Sequence, residues 1–334
     1  IILIDFIKIE GVYMETNIDK KIKLTIFKIL LTAFIIVNVG LLATSYYFYH
    51  VIMTYSHTNA YSANDYQKEV KELGYDYSSL HAAEKEYVDI ESKYGYNLKG
   101  LFIKNPMESQ NTIILVHGIG RDKEWSIMKY GPLFFKNGFN IFAYDGRDHG
   151  SSGGENPTYG FYESDDLEKC IDYIKNKKMD GVIGLHGESM GASVSLTWAS
   201  KYDNNGISFL IEDCGYADLY DLYYERLSDY QVPKFVRPAI LYYTSLFCKI
   251  LAGFSLNDIP PIKNIGKINL PVLFIHGSAD NFVMPEMAKE MFNNKIGIKE
   301  IYFAPGAGHA KSINTDVNRY ESVISAFYGD VIGK

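Results

Sequence analysis

The chain has 334 residues, 47% of them apolar, and a formal net charge of −7 at pH 7. That length holds one large α/β domain with an insertion. The acidic balance, with no basic cluster beyond the N-terminal region, excludes a phosphate-neutralising nucleic-acid surface.

Lys20, Lys21, Lys23 and Lys28 precede Ile29 to Tyr49, 21 residues without a charge. As a helix this stretch spans about 31 Å, the hydrocarbon thickness of a bilayer. The lysines predict residues 1–28 on the cytoplasmic side, residues 29–49 as a single-pass anchor in the cell membrane and the rest of the chain outside. Tyr46 to Tyr49 then form an interfacial aromatic belt. A cleaved signal peptide is the rival, with Ala43-Thr44-Ser45 as a small-x-small site; the apolar run continues past that site, which favours the uncleaved anchor. Glu10-Gly11-Val12 is encodable by codons that contain AGGAG just ahead of Met14. Translation is therefore expected to start at Met14, with residues 1–13 read from upstream sequence, and N-terminal sequencing of the native protein that found them would refute this.

Residues 50–96 mix acidic and basic side chains with tyrosines and predict a polar stalk or short helices without visible chemistry. From residue 97 to 334 glycine-bounded apolar runs alternate with amphipathic segments, as βα units on a mostly parallel sheet require. The strands expected are Thr112–Val116, Asn140–Tyr144, Val182–Leu185, Ser208–Ile211, Pro271–Ile275 and Glu300–Phe303. Helices are expected at Glu124–Lys136, Asp165–Lys177, Ala192–Lys201, Pro285–Asn293 and Asn314–Phe327. The interval at about 216–264 breaks the alternation and is crowded with tyrosine and phenylalanine, which predicts a helical cap. Its rings would either roof an apolar substrate pocket or form the cap's own core.

Gly187-Glu188-Ser189-Met190-Gly191 follows the apolar run Gly181 to Leu185 and opens a helical segment. In a G-x-S-x-G elbow the chain turns so sharply that only glycines leave room beside the serine, whose hydroxyl stands exposed at the tip. Ser189 is the expected nucleophile, and it needs a base together with a group to orient that base. Of eight histidines, His50, His57 and His81 fall in the anchor and stalk, His117, His186 and His276 end apolar strands, and His149 sits in a glycine-rich loop. His309, in the loop after the last strand, is the expected base. Asp280, just beyond the expected strand Pro271–Ile275, is the preferred orienting acid; Asp213 is its rival. The oxyanion donors expected are the backbone amides of Met190 and of Ile119, with Gly118 and Gly120 as neighbours of the second. His117 is expected to be structural. The loop Asp145 to Gly154 lacks the phosphate-loop pattern and reads as a polar turn bracing the site. Cys170, Cys214 and Cys248, odd in number and without a CxxC pair, predict buried fillers, and no metal or cofactor is expected.

His117-Gly118, Asp145 to Gly153, the Ser189 elbow, Asp280 and His309 together resemble the α/β-hydrolase superfamily in its serine-aminopeptidase-like, Bem46-like branch, over residues 97 to 330. Tyr159 to Glu163 with His186 to Ala192 is similar to a membrane-anchored Gram-positive group of that branch. The order Ser189, Asp280, His309 is the order of that superfamily. One departure is Asp148, which stands where family members often carry glycine. The resemblance and the residues imply a serine hydrolase acting on a small-molecule acyl or peptide substrate. Carboxylesterase is the first expectation. An aminopeptidase-like activity is the second and would need Glu212, Asp213, Asp218 or Asp221 to hold a substrate amine. A catalytically silent binding protein on the same fold is the third.

Overall fold

The computed structural model describes residues 2–58, 60, 62–107, 110–202 and 206–333. Its N-terminal helix, α1 (Ile2–Thr58), contains no proline and runs unbroken through what the sequence divides into tail, anchor and stalk. Lys20–Thr58 is long and apolar enough to cross a membrane. The side chains of residues 20–40 stand clear of the fold, but Ser45, Phe48, Ile52 and Met53 are buried in it. The part of 29–49 whose side chains stand clear of the domain ends at Gly40, and residues 50–57, expected as a stalk, pack into the domain.

Two short helices follow, α2 (Ala63–Leu73) and α3 (Ser78–Ala82). A capping box between Ser62 and Asp65 starts α2, and Gly74, at φ 67°, ends it. The sheet then begins earlier than expected. The strand β1 (Lys85–Glu91) lies within the supposed stalk and pairs antiparallel with β2 (Asn97–Ile103). In β1 only Ile90 is buried and Val88 half-buried, so its apolar alternation is two residues long.

The βα units proper are β3 (Thr112–Val116), α4 (Lys123–Lys136), β4 (Asn140–Tyr144), α5 (Glu163–Asn176), β5 (Ile183–Glu188), α6 (Met190–Tyr202) and β6 (Phe209–Asp213). The cap supplies α7 (Leu219–Arg226), α8 (Arg237–Ala252) and the short α9 (Pro261–Asn264). The chain returns through β7 (Val272–Gly277), α10 (Pro285–Asn294), β8 (Lys299–Ala304), α11 (Ser312–Thr315) and α12 (Val317–Ile332). The last two replace one expected helix. Asp316, extended at φ −156°, breaks it and caps α12 through the Arg319 amide.

The eight strands are ordered β1-β2-β4-β3-β5-β6-β7-β8, antiparallel at β1/β2 and β2/β4 and parallel elsewhere. One face packs α5, α6, α10, the cap and the end of α1; the other packs α4 and α12. Strand order reverses at β3, which lies between β4 and β5. A parallel sheet opens a crevice at the carboxyl ends of strands beside such a reversal. The turns after β3, β5, β7 and β8 meet there.

Candidate active site

Ser189 sits between β5 and α6 at φ 54°, a left-handed conformation that costs a non-glycine residue of order 1–3 kcal/mol. Its surroundings enforce the turn. A Cβ on Gly191 would lie 2.1 Å from the Val116 carbonyl oxygen, and one on Gly187 would lie 2.5 Å from that of Gly191. The Ser189 amide donates to the Asp213 carbonyl at 2.8 Å, tying the elbow to the end of β6.

The serine Oγ is 2.9 Å from His309 Nε2, and His309 Nδ1 is 2.8 Å from Asp280 Oδ2. Asp280 Oδ1 accepts the Phe282 and Val283 amides at 2.9 and 3.0 Å. His276 Nε2 lies 3.2 Å from Asp280 Oδ2. Burial opposes the Asp280 charge, but the hydrogen bonds from His276 and His309 outweigh it and hold the carboxyl well below the usual range. Asp280 is therefore ionised at any neutral pH, with one oxygen fixed by amides and the other facing imidazole.

The rival Asp213 does not reach this relay. Its oxygens accept from Tyr320 Oη at 2.8 Å and Ser312 Oγ at 3.2 Å, and burial pushes it up to about 6. Glu212 is fully buried, accepts the Gly215 amide and is pushed up to about 8 by desolvation. Asp218 caps α7.

Met190 is the first residue of α6, so its amide is one of the orphan donors at that helix's N-terminus. Gly118 and Ile119 line the same cleft, and a Cβ on Gly118 would be 3.4 Å from that of Ser189. The turn is held from behind by His117, as expected of a structural residue. Its Nδ1–H donates to the Gly118 carbonyl at 2.8 Å and its Nε2 accepts the Gly146 amide at 2.8 Å. Burial keeps it neutral. Asp145 accepts the Lys123 and Ser151 amides and the Lys123 ammonium, closing the brace.

Two participants were not visible in the sequence. Lys129, buried on α4, donates to Glu188 Oε2 at 2.5 Å and to the Ala310 carbonyl at 2.7 Å, so one cation joins the serine elbow to the histidine loop. Burial raises Glu188, yet the Lys129 charge and hydrogen bond prevail and bring it to about 2. The second is the end of α1. Tyr55 and Phe282 line the serine cleft together with Arg121, and the Phe282 ring stands 4.8 Å from that of His309 and 6.0 Å from that of Tyr55. Asp148, the departure from the family pattern, adopts φ 60° and accepts from His57 Nε2 at 3.0 Å and Ser56 Oγ at 3.3 Å, both on α1.

Cys214, Asp280 and His309 are near enough to share a cation. Burial pushes the Cys214 thiol well up, so it stays protonated, and the other two are engaged with each other. The donor set suits a proton relay better than a metal.

A sheet of this topology, with a serine elbow after β5 and an acid and a histidine after the last two strands, defines the α/β-hydrolase fold. The family described as alpha/beta hydrolase fold matches residues 111–237. YqkD, an uncharacterised protein of Bacillus subtilis, is 36% identical over 266 residues, 79% of this chain and 86% of its own. Among solved structures, the Pyrococcus furiosus esterase Pf2001 superposes with a TM-score of 0.63 at 23% identity, over 77% of this chain and 95% of that one. Est1E from Butyrivibrio proteoclasticus, solved with ferulic acid, superposes with a TM-score of 0.60 at 18% identity, over 74% and 100%. The chain belongs to the α/β-hydrolase family.

Proposed function

We propose that this protein is a membrane-anchored serine hydrolase that cleaves a carboxylic ester through an acyl-enzyme. The observation that carries the reading is the unbroken relay from Ser189 Oγ to His309 Nε2 and from His309 Nδ1 to Asp280. Ser189 attacks the ester carbonyl while His309 takes its proton. The oxyanion collects at the Met190 and Ile119 amides, and His309 returns the proton to the departing alcohol. Water, deprotonated by His309, then attacks the acyl-serine; the bond to Ser189 Oγ breaks, His309 returns the proton to Oγ, and the acid is released. Asp280 keeps the proton of neutral His309 on Nδ1, so that Nε2 is free to accept.

The cleft favours esters over the N-terminal residue of a peptide. An aminopeptidase needs a carboxylate for the substrate amine. Among the described residues that line the cleft, the one carboxylate is Glu188, which already holds Lys129, Tyr130 and Trp125. Glu212, Asp213 and Asp218 are committed elsewhere. A silent binding protein would have no use for so complete a relay.

The exposed apolar length of α1 supports insertion in the cell membrane, and the lysines before it favour a cytoplasmic N-terminus with the catalytic domain outside. The test is labelling of the full-length protein with a fluorophosphonate. Wild type should label and hydrolyse p-nitrophenyl esters; Ser189→Ala should lose labelling and at least about 10⁴-fold in kcat. A folded wild type that does not label ends the serine hydrolase reading.

A further inference from the structure

The serine cleft, about 290 Å³, does not stand alone. A second cavity of about 320 Å³ meets it at Tyr55 and Phe282, which line both. Its walls are Phe48, Val51, Ile52 and Tyr55 from α1, and Tyr223, Leu227, Tyr230 and Leu241 from the cap. Arg226 and Asp229, paired with each other at 3.1 Å, are its polar members. On the other side of the cleft a polar cavity of about 330 Å³ shares Arg121 with it and is bounded by Ser56 and His57 of α1 and by Asp148. The last turns of one helix thus wall an apolar chamber, the nucleophile's cleft and a polar chamber in sequence.

The same helix leads into the membrane. Only Ile29 to Gly40, 12 residues or about 18 Å of helix, is both uncharged and free of the domain, short of a hydrocarbon core of about 30 Å. The cap helix α8 packs on α1 just beyond it. Thr244 bonds the Ser45 carbonyl, and the Phe247 ring lies 5.4 Å from that of Tyr46. α8 also leaves Tyr242, Leu246, Ile250 and Leu251 exposed. An apolar cap face beside a short span places this side of the domain in the interfacial layer.

We infer that the cavity between α1 and the cap is an acyl-chain subsite, and that the substrate is an amphiphilic ester taken from the membrane. Its hydrocarbon tail lies against Val51 and Tyr223, its carbonyl at Ser189, and its polar alcohol toward Arg121 and Asp148. The anchor is then part of the substrate site as well as a tether. This inference rests on Ser189 being the nucleophile.

The experiment uses full-length protein in detergent micelles, with p-nitrophenyl octanoate and acetate as probes. Each buried methylene multiplies binding about fourfold, so wild type should show kcat/KM for octanoate at least about tenfold above acetate. Val51→Trp, which fills the chamber from α1, should lower that octanoate-to-acetate ratio at least tenfold while the melting temperature holds. Should the tryptophan variant fail to fold, Val51→Phe should lower the ratio in the same direction. Equal kcat/KM for the two esters in a wild type that labels with fluorophosphonate overturns the inference and leaves the serine hydrolase reading standing. So does a folded Val51 variant with an unchanged ratio. Absence of labelling removes both.

Discussion

The turn that carries Ser189 and the last turns of α1 face each other across one cleft and are held there by different means. The elbow is fixed locally. Gly191 admits the backbone at the end of β3 and Gly187 that of the first turn of α6, β5 delivers the serine, and its strained φ is maintained by the sheet beneath it. The end of α1 is fixed by contacts remote in sequence: Ile52 and Tyr159, Ser45 and Thr244, Asp148 and His57. One side of the site is thus specified by a short motif and the other by packing, and substitutions should separate the two.

The largest effect should come from the relay on the elbow side. In Asp280→Asn the amide oxygen should stay with the Phe282 and Val283 amides, which turns the NH₂ toward His309 Nδ1. The imidazole must then accept at Nδ1 and carry its proton on Nε2, where it cannot take one from Ser189. The expected loss is about 10⁴-fold in kcat on a p-nitrophenyl ester with the fold intact. A loss under tenfold would remove Asp280 from the relay.

Next is Lys129→Met, which strands Glu188 as a buried charge beneath the elbow and frees the Ala310 loop. The expected cost is about 3–5 kcal/mol at pH 7 by urea unfolding. The pH dependence has a definite sign. In the wild type Glu188, held at about 2 against an ordinary 4.5, contributes stability that is present above 4.5 and lost as pH falls through 2. Without Lys129 burial dominates and raises the carboxyl, so acid favours the folded variant. The gap between the two proteins should narrow from pH 7 to about pH 3; a constant or widening gap would place the cost elsewhere than in the Glu188 charge.

On the α1 side, Ile52→Ala measures whether that segment is core or stalk. Ile52 is 2% exposed, so truncation should cost about 2–5 kcal/mol of domain stability, read as a lowered melting temperature of the detergent-solubilised protein. A stalk residue would change it by no more than about 0.5 kcal/mol.

These two sides also differ in how far the amino-acid sequence discloses them. The elbow, Asp280 and His309 are legible because each follows an apolar strand run by one short turn, so local pattern places them at the same sheet edge. Lys129 is not. It lies in an amphipathic helix with other lysines, and its partners Glu188 and Ala310 are 59 and 181 residues away. The apolar run through Tyr49 is equally silent about what it faces, since lipid and a protein cap select the same side chains. β1 escapes notice because the alternation of an edge strand, here Val88 and Ile90 alone, is too short to stand out among charged residues. The cap's tyrosines are legible as a group and not singly: Tyr223 and Tyr230 wall the apolar chamber while Tyr242 faces outward.

The smallest effect, and the finest probe of how α1 is held, is Asp148→Gly, which restores the glycine common in the family. It relieves the left-handed backbone at φ 60° and removes the bonds to His57 and Ser56. The first change stabilises by up to about 1 kcal/mol. The His57 side chain is 64% exposed, so its bond to Asp148 is worth about as little, and the net change should lie within about 1 kcal/mol of zero. What should change is local. Amide exchange at residues 54–58 should quicken while residues 45–52, held by apolar burial and the Thr244 and Tyr159 hydrogen bonds, keep their protection. Quickening that spread through residues 45–52 would mean that α1 is pinned by this polar clasp and not by its packing, and the contrast between a motif-built and a packing-built side of the cleft would fall with it.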